Sequence, residues 1–443
     1  MTRNIAIVGA GLSGLTAAYR LAQAGLKPQV FERFPVPGGL ARVIDVGGEP
    51  LEVFYHHLFT NDTAITALAD ELGLGDTIEW LPSKMGIWTG NRLWDFGTPA
   101  SLLRFGPLRL VDKIRFVIGT LRLQHANDPT PFEDVTAAHW IEKHLGSAVW
   151  RTVWAPLLQQ KFAGMADDVA MVWLWRKIWL RGRSRSSSGM KERLGYMRGS
   201  FAKVAEGLAE AICNMGGSLH LADPVKRIDR VDGGGFEIIT KGDAFRVDSV
   251  LAAVPVPDYL DIAGNILPPP EVQRLKTLRA TSALCTLLEL NRSFMPYYWL
   301  NIADEAMPFG GLIEHTNYID RSRYGGRHLL YISNYLFPDH PLYGADRRAV
   351  MDTYMPGLQR INPAFDTSWI ERVHHVRADY AQPVVTRGYR QQIPSMRTPI
   401  ENLYLCTMAQ IYPEDRGQNY AVMYGDRVAK MMLEDLVNAP KAR

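Results

Sequence analysis

The first 42 residues limit the fold of this chain more than any other segment. A β-type apolar run, Ile5 to Val8, leads into a glycine-rich turn, a helix-type segment and a second β-type run that ends at Glu32. This order is typical of the βαβ unit that binds a dinucleotide, because the turn makes room for a pyrophosphate and the free N–H groups of the helix donate hydrogen bonds to it. The segment therefore predicts an α/β domain that holds a phosphate-bearing cofactor.

The spacing of three glycines gives each of them a different task. Gly9 can take the tight turn, Gly11 lets the backbone approach the pyrophosphate, and Gly14 lets the helix pack closely on the strand. The Glu32 carboxylate can accept both ribose hydroxyl protons and would repel a 2′-phosphate; the alternative is a solvated strand end. The cofactor-binding residues expected from this unit are Gly9, Gly11, Leu12, Ser13, Gly14, Glu32 and Arg33.

A second glycine pair lies just past Glu32 and is followed by a basic residue, in the order Gly38, Gly39, Leu40, Ala41, Arg42. Here the chain resembles the flavin amine oxidase superfamily, which includes monoamine oxidases, protoporphyrinogen oxidase and phytoene-desaturase-type enzymes and has a second motif of the form GGxxR. The resemblance implies FAD as the cofactor and places Arg42 beside the flavin or its pyrophosphate.

Later segments extend the resemblance over nearly the whole chain. Leu194 to Phe201 is similar to the glycine turn that leads back to the cofactor domain, and two segments are similar to later strands of that domain, Val225 to Ile228 and Val250 to Pro255. Asn402 to Cys406 and Asn419 to Val422 resemble the closing strand and the flavin-facing helix. The resemblance implies that Val225 lies near the adenine and that the helix start, with Asn419, Tyr420 and Ala421, faces the flavin.

One departure from the family pattern concerns the ribityl chain of the flavin. The family has a Gly-Asp pair after the closing strand, whereas this chain reads Thr407 to Gln410 and reaches Asp415 only later. Gln410, Asp415 or backbone groups are the alternatives for this contact. A helix N-terminus aimed at the pyrimidine edge would stabilise negative charge on the reduced ring without that carboxylate.

Changes in sequence texture divide the chain into two predicted domains. The expected fold class is α/β, with a Rossmann-type FAD-binding domain of the glutathione-reductase kind formed by residues 1–82, 191–280 and 386–443. An inserted α+β substrate domain is expected from residues 83–190 and 281–385, because so long a gap would be an unusual loop in a compact domain. Within the insert, Leu102 to Leu123 and Thr136 to Leu145 are predicted to be helical.

Composition excludes several classes of protein. The formal net charge of only +3 argues against a dedicated nucleic-acid binder, and three widely spaced cysteines argue against a disulfide framework or a zinc site, so no metal is expected. No apolar run of about 18 residues is present for a membrane span. We expect a cytoplasmic protein. The cations of Trp173 to Arg185, a segment that precedes the serines Ser186 to Ser188, could attract a phosphate-bearing substrate or make a peripheral contact with an anionic membrane; the alternative is a simple solvated helix end.

Three histidines are candidate catalytic residues. His56 and His57 follow the GGxxR element at the distance where related flavoproteins place residues against the flavin ring, and this run resembles the histidine loop of UDP-galactopyranose mutase. A histidine there could donate to a flavin carbonyl or move a substrate proton, since its pKa is ordinarily near neutrality; the alternative is packing. His315 lies in a predicted strand, Gly311 to Tyr318, whose alternation would point His315 and Asn317 to one side.

The polar segment between the closing strand and the last helix is a further candidate part of the site. Tyr412 and Arg416 either cap the pocket or pair with Glu414 and Asp415 on the surface. Gly233 to Gly235 reads as a hairpin turn, so a second nucleotide-binding unit is missing. We therefore expect substrate and an external acceptor, oxygen or a quinone, to exchange electrons with one flavin.

These observations favour an FAD-dependent oxidoreductase that removes a hydride from an apolar or amine-type small molecule. The alternative enzyme class is a redox-neutral, flavin-dependent mutase or isomerase acting on a nucleotide sugar or lipid-linked sugar. A third class, a non-catalytic escort protein with this fold, would not need the flavin motifs that the chain retains.

Overall fold

The computed structural model describes residues 3–184 and 193–438. The strands within these ranges are β1 (Asn4–Val8), β2 (Lys27–Phe31), β3 (Val43–Val46), β4 (Glu49–Glu52), β5 (Leu58–Phe59), β6 (Ile78–Pro82), β7 (Met85–Thr89), β8 (Arg92–Asp95), β9 (Arg193–Met197), β10 (Ser218–His220), β11 (Arg227–Arg230), β12 (Phe236–Ile239), β13 (Ala244–Val247), β14 (Ser249–Ala252), β15 (Ala280–Leu290), β16 (Trp299–Ile302), β17 (Gly311–Glu314), β18 (His328–Leu336), β19 (Ile370–Pro383) and β20 (Leu403–Leu405).

The α-helices of the same ranges are α1 (Leu12–Gln23), α2 (Thr63–Glu71), α3 (Pro99–Arg104), α4 (Leu110–His125), α5 (Thr130–Glu133), α6 (Ala137–His144), α7 (Ser147–Val149), α8 (Ala155–Phe162), α9 (Met171–Ser184), α10 (Ala202–Asn214), α11 (Val256–Ala263), α12 (Pro269–Lys276), α13 (Pro341–Gly344), α14 (Arg347–Ile361), α15 (Tyr389–Gln392) and α16 (Gln418–Asn438). Within the described residues, we find no helix with the length and apolar content needed to cross a bilayer.

A five-stranded parallel sheet in the order β10-β2-β1-β14-β20 carries the amino-terminal unit. Side chains alternate across it, as the period of a strand requires. Ile5 and Ile7 point to the side covered by α1, α10 and α16, whereas Ala6 and Val8 point to the side covered by the β11-β12-β13 meander. Both faces are therefore buried, which is typical of parallel sheets, and the predicted α/β Rossmann-type class is confirmed.

A mixed seven-stranded sheet in the order β19-β15-β18-β17-β16-β7-β8 forms the second layered unit. Its longest pairings are made by β15, which pairs with β18 on one side and with the edge strand β19 on the other. Because β7 and β8 end before residue 96 and the other five strands begin at residue 280 or later, the sheet joins the two predicted pieces of the substrate domain. The domain boundaries themselves stay a prediction.

Two predicted elements are wrong in their extent. The helix expected from Leu102 to Leu123 is interrupted at Gly106-Pro107, where proline lacks the N–H that a continuous helix needs, and α3 and α4 result. The strand expected from Gly311 to Tyr318 ends at Glu314, and the next three residues form a 3-10 turn.

Candidate functional site

The amino-terminal glycine turn has the geometry that its sequence predicts. Gly9 has a φ of +104°, and a Cβ there would lie 2.5 Å from the Ala253 carbonyl oxygen. A Cβ at Gly14 would lie 2.1 Å from the Gly9 oxygen, whereas a Cβ at Gly11 would meet no protein atom within 4 Å. Two of these glycines are thus needed for close packing, and the third leaves the backbone approachable, as pyrophosphate binding requires.

The carboxylate of Glu32 supports this turn from the end of β2. Its Oε2 accepts a hydrogen bond from the Ala10 N–H at 2.8 Å and its Oε1 accepts one from the Phe34 N–H at 3.0 Å. Glu32 is buried, so it is not the solvated strand end that was the alternative. Arg33 is exposed and pairs with Asp258 at 3.3 Å.

The half-buried Val225 lies just before β11, and the segment leading to it is attached to the end of β2. In that segment, the Asp223 N–H donates to the Glu32 carbonyl oxygen at 2.9 Å. Val225 is therefore two residues from Asp223, which contacts Glu32, the residue predicted to bind the ribose. Its contact with adenine stays a prediction.

The second glycine pair lies directly against the first. The Gly38 N–H donates to the Ala10 carbonyl oxygen at 2.8 Å, and a Cβ at Gly39 would lie 3.1 Å from the Gly11 Cα. Leu40 and Ala41 continue this pair as a short 3-10 turn. The Arg42 guanidinium that follows donates to the Gly39 carbonyl oxygen at 3.1 Å and stacks 4.3 Å from the ring centre of Phe34, and burial lowers its pKa.

The beginning of α16 is held against the rest of the site by two contacts. Gly425 allows close packing on α1, since a Cβ there would lie 2.6 Å from the Ser13 carbonyl oxygen. The Asn419 Oδ1 accepts hydrogen bonds from the Ala64 and Ile65 N–H groups at 2.8 and 3.2 Å. Leu12 is buried in the first turn of α1, and Ser13, Tyr420 and Ala421 are half-buried at their helix starts.

Gln418 is the first residue of α16, and sequence reasoning did not select it. It is 9% exposed, and neither atom of its side-chain amide has a hydrogen-bond partner among the described residues. An amide buried without partners is costly in a folded protein unless a ligand satisfies it. Together with the open position at Gly11, this amide fits a bound FAD whose flavin end reaches the start of α16.

Gln410 is corrected as a candidate for the ribityl contact. Its Oε1 accepts from the Thr407 N–H at 2.9 Å, and its Nε2 donates to the carbonyl oxygens of Pro394 and Leu405 at 3.2 and 3.0 Å. Both amide donors are therefore used by the loop, so Gln410 stabilises the backbone there and has none left for a cofactor.

His56 and His57 lie on a loop lined by aromatic rings. His56 Nδ1 donates to the Phe54 carbonyl oxygen at 2.7 Å, which assigns the proton to Nδ1 and leaves Nε2 as an acceptor. His57 Nδ1 lies 3.0 Å from the Tyr298 hydroxyl. His57 also lines a small cavity with Arg181 and Trp299.

The charge state of these histidines differs from the expectation. Burial lowers the pKa of His56 to about 4, and burial together with nearby cations, Arg181 first among them, lowers the pKa of His57 to about 3. Both rings are therefore neutral at pH 7, so neither carries a proton to give away in the way that a histidine of ordinary pKa does.

His315 is corrected as a catalytic candidate. It lies in the 3-10 turn after β17, so the alternation argument does not apply, and its Nε2 lies 2.8 Å from the Tyr324 hydroxyl. The ring packs on Tyr196 and Tyr331 in the core, and burial lowers its pKa to about 3. His315 is thus a packed core histidine.

A cluster of cations lies beside the histidine loop; we call it the cation cluster and define it as Lys161, Lys177, Arg181 and Arg416. Asp415 lies at its centre, 2.6 Å from Lys177 Nζ and 3.4 Å from Lys161 Nζ. Arg416 Nη2 donates to the Tyr335 hydroxyl at 2.6 Å. The cations hold the pKa of Asp415 well below its usual range against the opposing effect of burial, and burial lowers the pKa of each lysine to about 8.

The polar side chains of residues 412–416, before α16, each have a defined partner, which distinguishes between the two alternatives for Tyr412 and Arg416. Glu414 pairs with Arg176 at 2.8 Å and Asp415 pairs with the two lysines, so Tyr412 and Arg416 do not pair with the acids' side chains on the surface. Tyr412 instead stacks on Tyr389 with ring centres 6.1 Å apart.

Sequence reasoning missed Lys161, which nothing local distinguishes. Lys177 and Arg181 belong to the tryptophan-rich basic segment, whose cations are expected either to attract a phosphate-bearing substrate or an anionic membrane or to form a solvated helix end, and Arg416 is one of the predicted caps of the pocket. Trp173 and Trp175 are 1% and 2% exposed, so these two rings lie in the core, whereas membrane contact of the segment as a whole stays a prediction. Arg185 and Ser186 to Ser188 lie outside the described residues.

Comparison with known proteins identifies the family. The family model of flavin-containing amine oxidoreductases matches residues 12–433. A protein of Mycobacterium tuberculosis (strain CDC 1551 / Oshkosh) named as a flavin-containing monoamine oxidase is 26% identical over 294 residues, which cover 62% of this chain and 62% of that protein. The chain thus matches less than two thirds of the length of this curated relative.

Solved structures show the same fold. A protein of Exiguobacterium sp. 255-15 named as a protoporphyrinogen oxidase superposes with a TM-score of 0.78 at 18% identity, covering 98% of this chain and 99% of that one. Reduced UDP-galactopyranose mutase superposes with a TM-score of 0.75 at 16% identity, covering 100% and 97%. The chain belongs to the flavin-containing amine oxidoreductase family, and FAD is its cofactor.

Proposed function

We propose that this protein is an FAD-dependent oxidoreductase that takes a hydride from a carbon of a small apolar or amine-type substrate. The observation that carries the proposal is a chain of hydrogen bonds between the start of α16 and the histidine loop. Arg416 donates to the Tyr335 hydroxyl at 2.6 Å, and that hydroxyl lies 3.3 Å from the hydroxyl of Tyr55, next to His56. The expected flavin end and the candidate catalytic loop thus share one polar network.

FAD would supply the hydride acceptor, and the residues of the chain would bind and position both partners. The glycine turn and Glu32 would hold the adenylate half, Arg42 and the second glycine pair the middle, and the first turn of α16 the flavin end. N–H groups at that helix start would stabilise negative charge on the reduced ring. Positioning of this kind lowers the barrier by fixing the reacting atoms near contact distance.

The histidine loop, which carries Tyr55, His56 and His57, would orient the substrate and exclude water. Tyr55 lies against Trp299 with ring centres 5.0 Å apart, and its hydroxyl is 2.8 Å from the Ser333 Oγ. The neutral His56 ring presents Nε2 as an acceptor, which suits a hydroxyl or ammonium donor of the substrate better than proton donation does. The site therefore supports hydride transfer guided by orientation, without an acid on the histidine loop.

An external acceptor would complete the cycle. Among the described residues we find one glycine turn of the nucleotide-binding type, and it lies within one βαβ unit. Since that part of the chain has no second unit for a nicotinamide cofactor, oxygen or a quinone is the simplest acceptor to reoxidise the flavin. The test is anaerobic reduction of the purified yellow protein by candidate donors, followed by admission of oxygen or of a soluble quinone. Bleaching by a donor and recovery by an acceptor support the proposal; a flavin that no donor bleaches contradicts it.

A redox-neutral mutase acting on a nucleotide sugar or lipid-linked sugar is the second candidate. The cation cluster favours it, because a sugar diphosphate is an anion and the cluster has more positive charges than negative ones. The discriminating measurement is turnover after chemical reduction of the flavin. Product formed without consumption of any acceptor would establish this second function in place of the first.

A further inference from the structure

The charges of the cation cluster do not balance within the described residues. The cluster has four cations but one carboxylate, that of Asp415, which pairs with the two lysines, since the neighbouring Glu414 is paired with Arg176. The side chains of Lys161 and Asp415 are each 20% exposed and that of Lys177 is 32% exposed. Like charges so close together repel one another in a partly desolvated site unless an anion joins them.

The arginines of the cluster also have unused hydrogen-bonding capacity. The Nε atoms of Arg181 and Arg416 are buried and find no acceptor among the described residues. Arg181 lines the same small cavity as His57, and its guanidinium lies 5.9 Å from the ring centre of Phe59. Helix α9, which carries Arg181, is attached to the histidine loop by a bond of 2.6 Å from Thr60 Oγ1 to the Ser184 carbonyl oxygen.

We propose that the cation cluster is a subsite for an anionic group of the substrate, a carboxylate or a phosphate, remote from the carbon that reacts. The proposal rests on the proposed function, because it places the anion in the pocket that the flavin faces. The diphosphate of FAD does not fill this role, since the glycine turn would bind it, away from the flavin ring. A guanidinium fork and a lysine pair together match the geometry of carboxylate and phosphate oxygens.

The experiment measures binding of small probes to the holoenzyme with oxidised flavin, by calorimetry and by the flavin difference spectrum. The probes share one ring and differ in charge: benzoate, phenyl phosphate, benzyl alcohol and benzylamine. We expect the better of the two anions to bind at least about tenfold more tightly than the alcohol, and the amine to bind most weakly. The ratio of benzoate to phenyl phosphate distinguishes a carboxylate from a phosphate subsite.

The matched variants are Arg181→Gln and Arg183→Gln, two residues apart on α9. Arg183 is exposed and contacts Asn127 at 3.3 Å, outside the cluster. We expect R181Q to lose about tenfold in anion affinity and R183Q to lose none. Equal affinity for benzyl alcohol and for the better-binding anion, or equal losses in the two variants, would overturn the subsite.

A third outcome is a change in flavin reduction potential in R181Q without a change in benzoate affinity. That result would assign the cluster to the reduced flavin and would also overturn the subsite. Because binding is measured on oxidised flavin without turnover, a failure of the oxidoreductase proposal would leave this result readable.

A second inference rests on a different surface. Seven large aliphatic side chains between α3 and the end of α4 are 42% to 67% exposed, and we call them the apolar face: Leu103, Leu110, Val111, Ile114, Val117, Ile118 and Leu121. The opposite side of α4, with Phe116, Gly119 and Leu123, is buried against the core. An exposed apolar surface of this extent is typical of an interaction site.

The charges around the apolar face indicate what covers it. Arg104, Arg115 and Arg122 are exposed on the same two helices, and Arg109 is exposed directly before α4. The acidic residue of this segment, Asp112, is buried at 8% exposure. Aliphatic side chains flanked by arginines alone suit the boundary between the headgroups and acyl chains of an anionic bilayer.

We infer that the apolar face docks the protein on an anionic lipid surface, with α4 lying in the plane of the interface. The test is co-sedimentation of the full chain with phosphatidylcholine vesicles, with and without phosphatidylglycerol. We expect binding to the mixed vesicles that weakens with salt, and a loss of at least about tenfold in the double variant Ile114→Glu/Ile118→Glu. Val437→Glu, which changes an exposed valine on α16, is the control and should bind normally.

Two results would overturn this docking surface. One is an equal loss of binding in the control and the double variant. The other is a dimer in sedimentation velocity that dissociates in the double variant while no form of the protein binds vesicles, since the apolar face would then be covered by a second copy. Circular dichroism spectra and flavin content of each variant are measured as well, so that a loss of binding caused by misfolding is distinguished from both results.

Discussion

Alanine substitutions at Gly11 and Gly14 separate cofactor binding from folding. At Gly14 the new Cβ would lie 2.1 Å from a backbone oxygen, whereas ordinary contact begins near 3.4 Å, so backbone must move by about 1 Å at a cost of about 3 kcal/mol. At Gly11 the backbone is extended, with φ −72° and ψ 170°, and no protein atom lies within 4 Å of the new Cβ. There a small cost at the helix start and a gain in chain stiffness offset each other, so the free energy of unfolding should change by less than about 1 kcal/mol.

The assay measures urea unfolding of the FAD-free proteins and FAD affinity by quenching of flavin fluorescence. We expect Gly11→Ala to unfold like the parent protein and to bind FAD at least about tenfold more weakly, because the Cβ would stand where the pyrophosphate approaches. We expect Gly14→Ala to be destabilised before any cofactor is added. FAD affinity of Gly11→Ala within a factor of about two of the parent protein would refute the assigned path of the cofactor.

Three further predictions concern the cation cluster and the loop beside it. Asp415→Asn leaves the cations without their carboxylate and should lower the free energy of unfolding by about 2 kcal/mol at pH 7, as measured by urea unfolding; an unchanged midpoint would show that solvent already screens them. Benzoate affinity should fall as pH rises through about 8, because Lys161 and Lys177, whose pKa values burial lowers to about 8, lose their charge there while Asp415 and the arginines keep theirs; a calorimetric titration flat from pH 7 to 9 would contradict this. Tyr55→Phe removes the hydroxyl 2.8 Å from Ser333 and should reduce the rate of flavin reduction about tenfold with FAD content unchanged, as measured by stopped-flow absorbance; an equal rate would place the reacting carbon elsewhere.

The cofactor half of the protein could be predicted from sequence because its determinants are local. Gly9, Gly11 and Gly14 are close together in the chain. Gly9 has a positive φ, Gly14 lies against the Gly9 oxygen, and Gly11 leaves open the space that a pyrophosphate needs. Glu32 follows at the end of the next strand, so its position is also fixed by short connections. Local rules of this kind need no knowledge of the tertiary fold.

The pocket half could not be predicted in the same way. Lys161, Lys177 and Asp415 come from two helices and a distant loop, and only the fold brings their charges together. The same limit applies to the charge states of His56 and His57, because burial and cations from other elements lower their pKa values and no local pattern shows either. Helix α4 is a further case, since apolar spacing predicts the helix but not which side the core leaves uncovered.

The double use of Glu32 has a consequence for attempts to change nucleotide preference. Each carboxylate oxygen already accepts one backbone N–H, from Ala10 and from Phe34, so each has one lone pair left for a sugar hydroxyl. Replacing Glu32 with arginine, in order to bind a phosphorylated ribose, would also leave the N–H groups of Ala10 and Phe34 without an acceptor and would loosen the loop that binds the diphosphate. Selectivity and loop architecture are therefore inseparable here, and redesign would have to begin by rebuilding the support of Ala10.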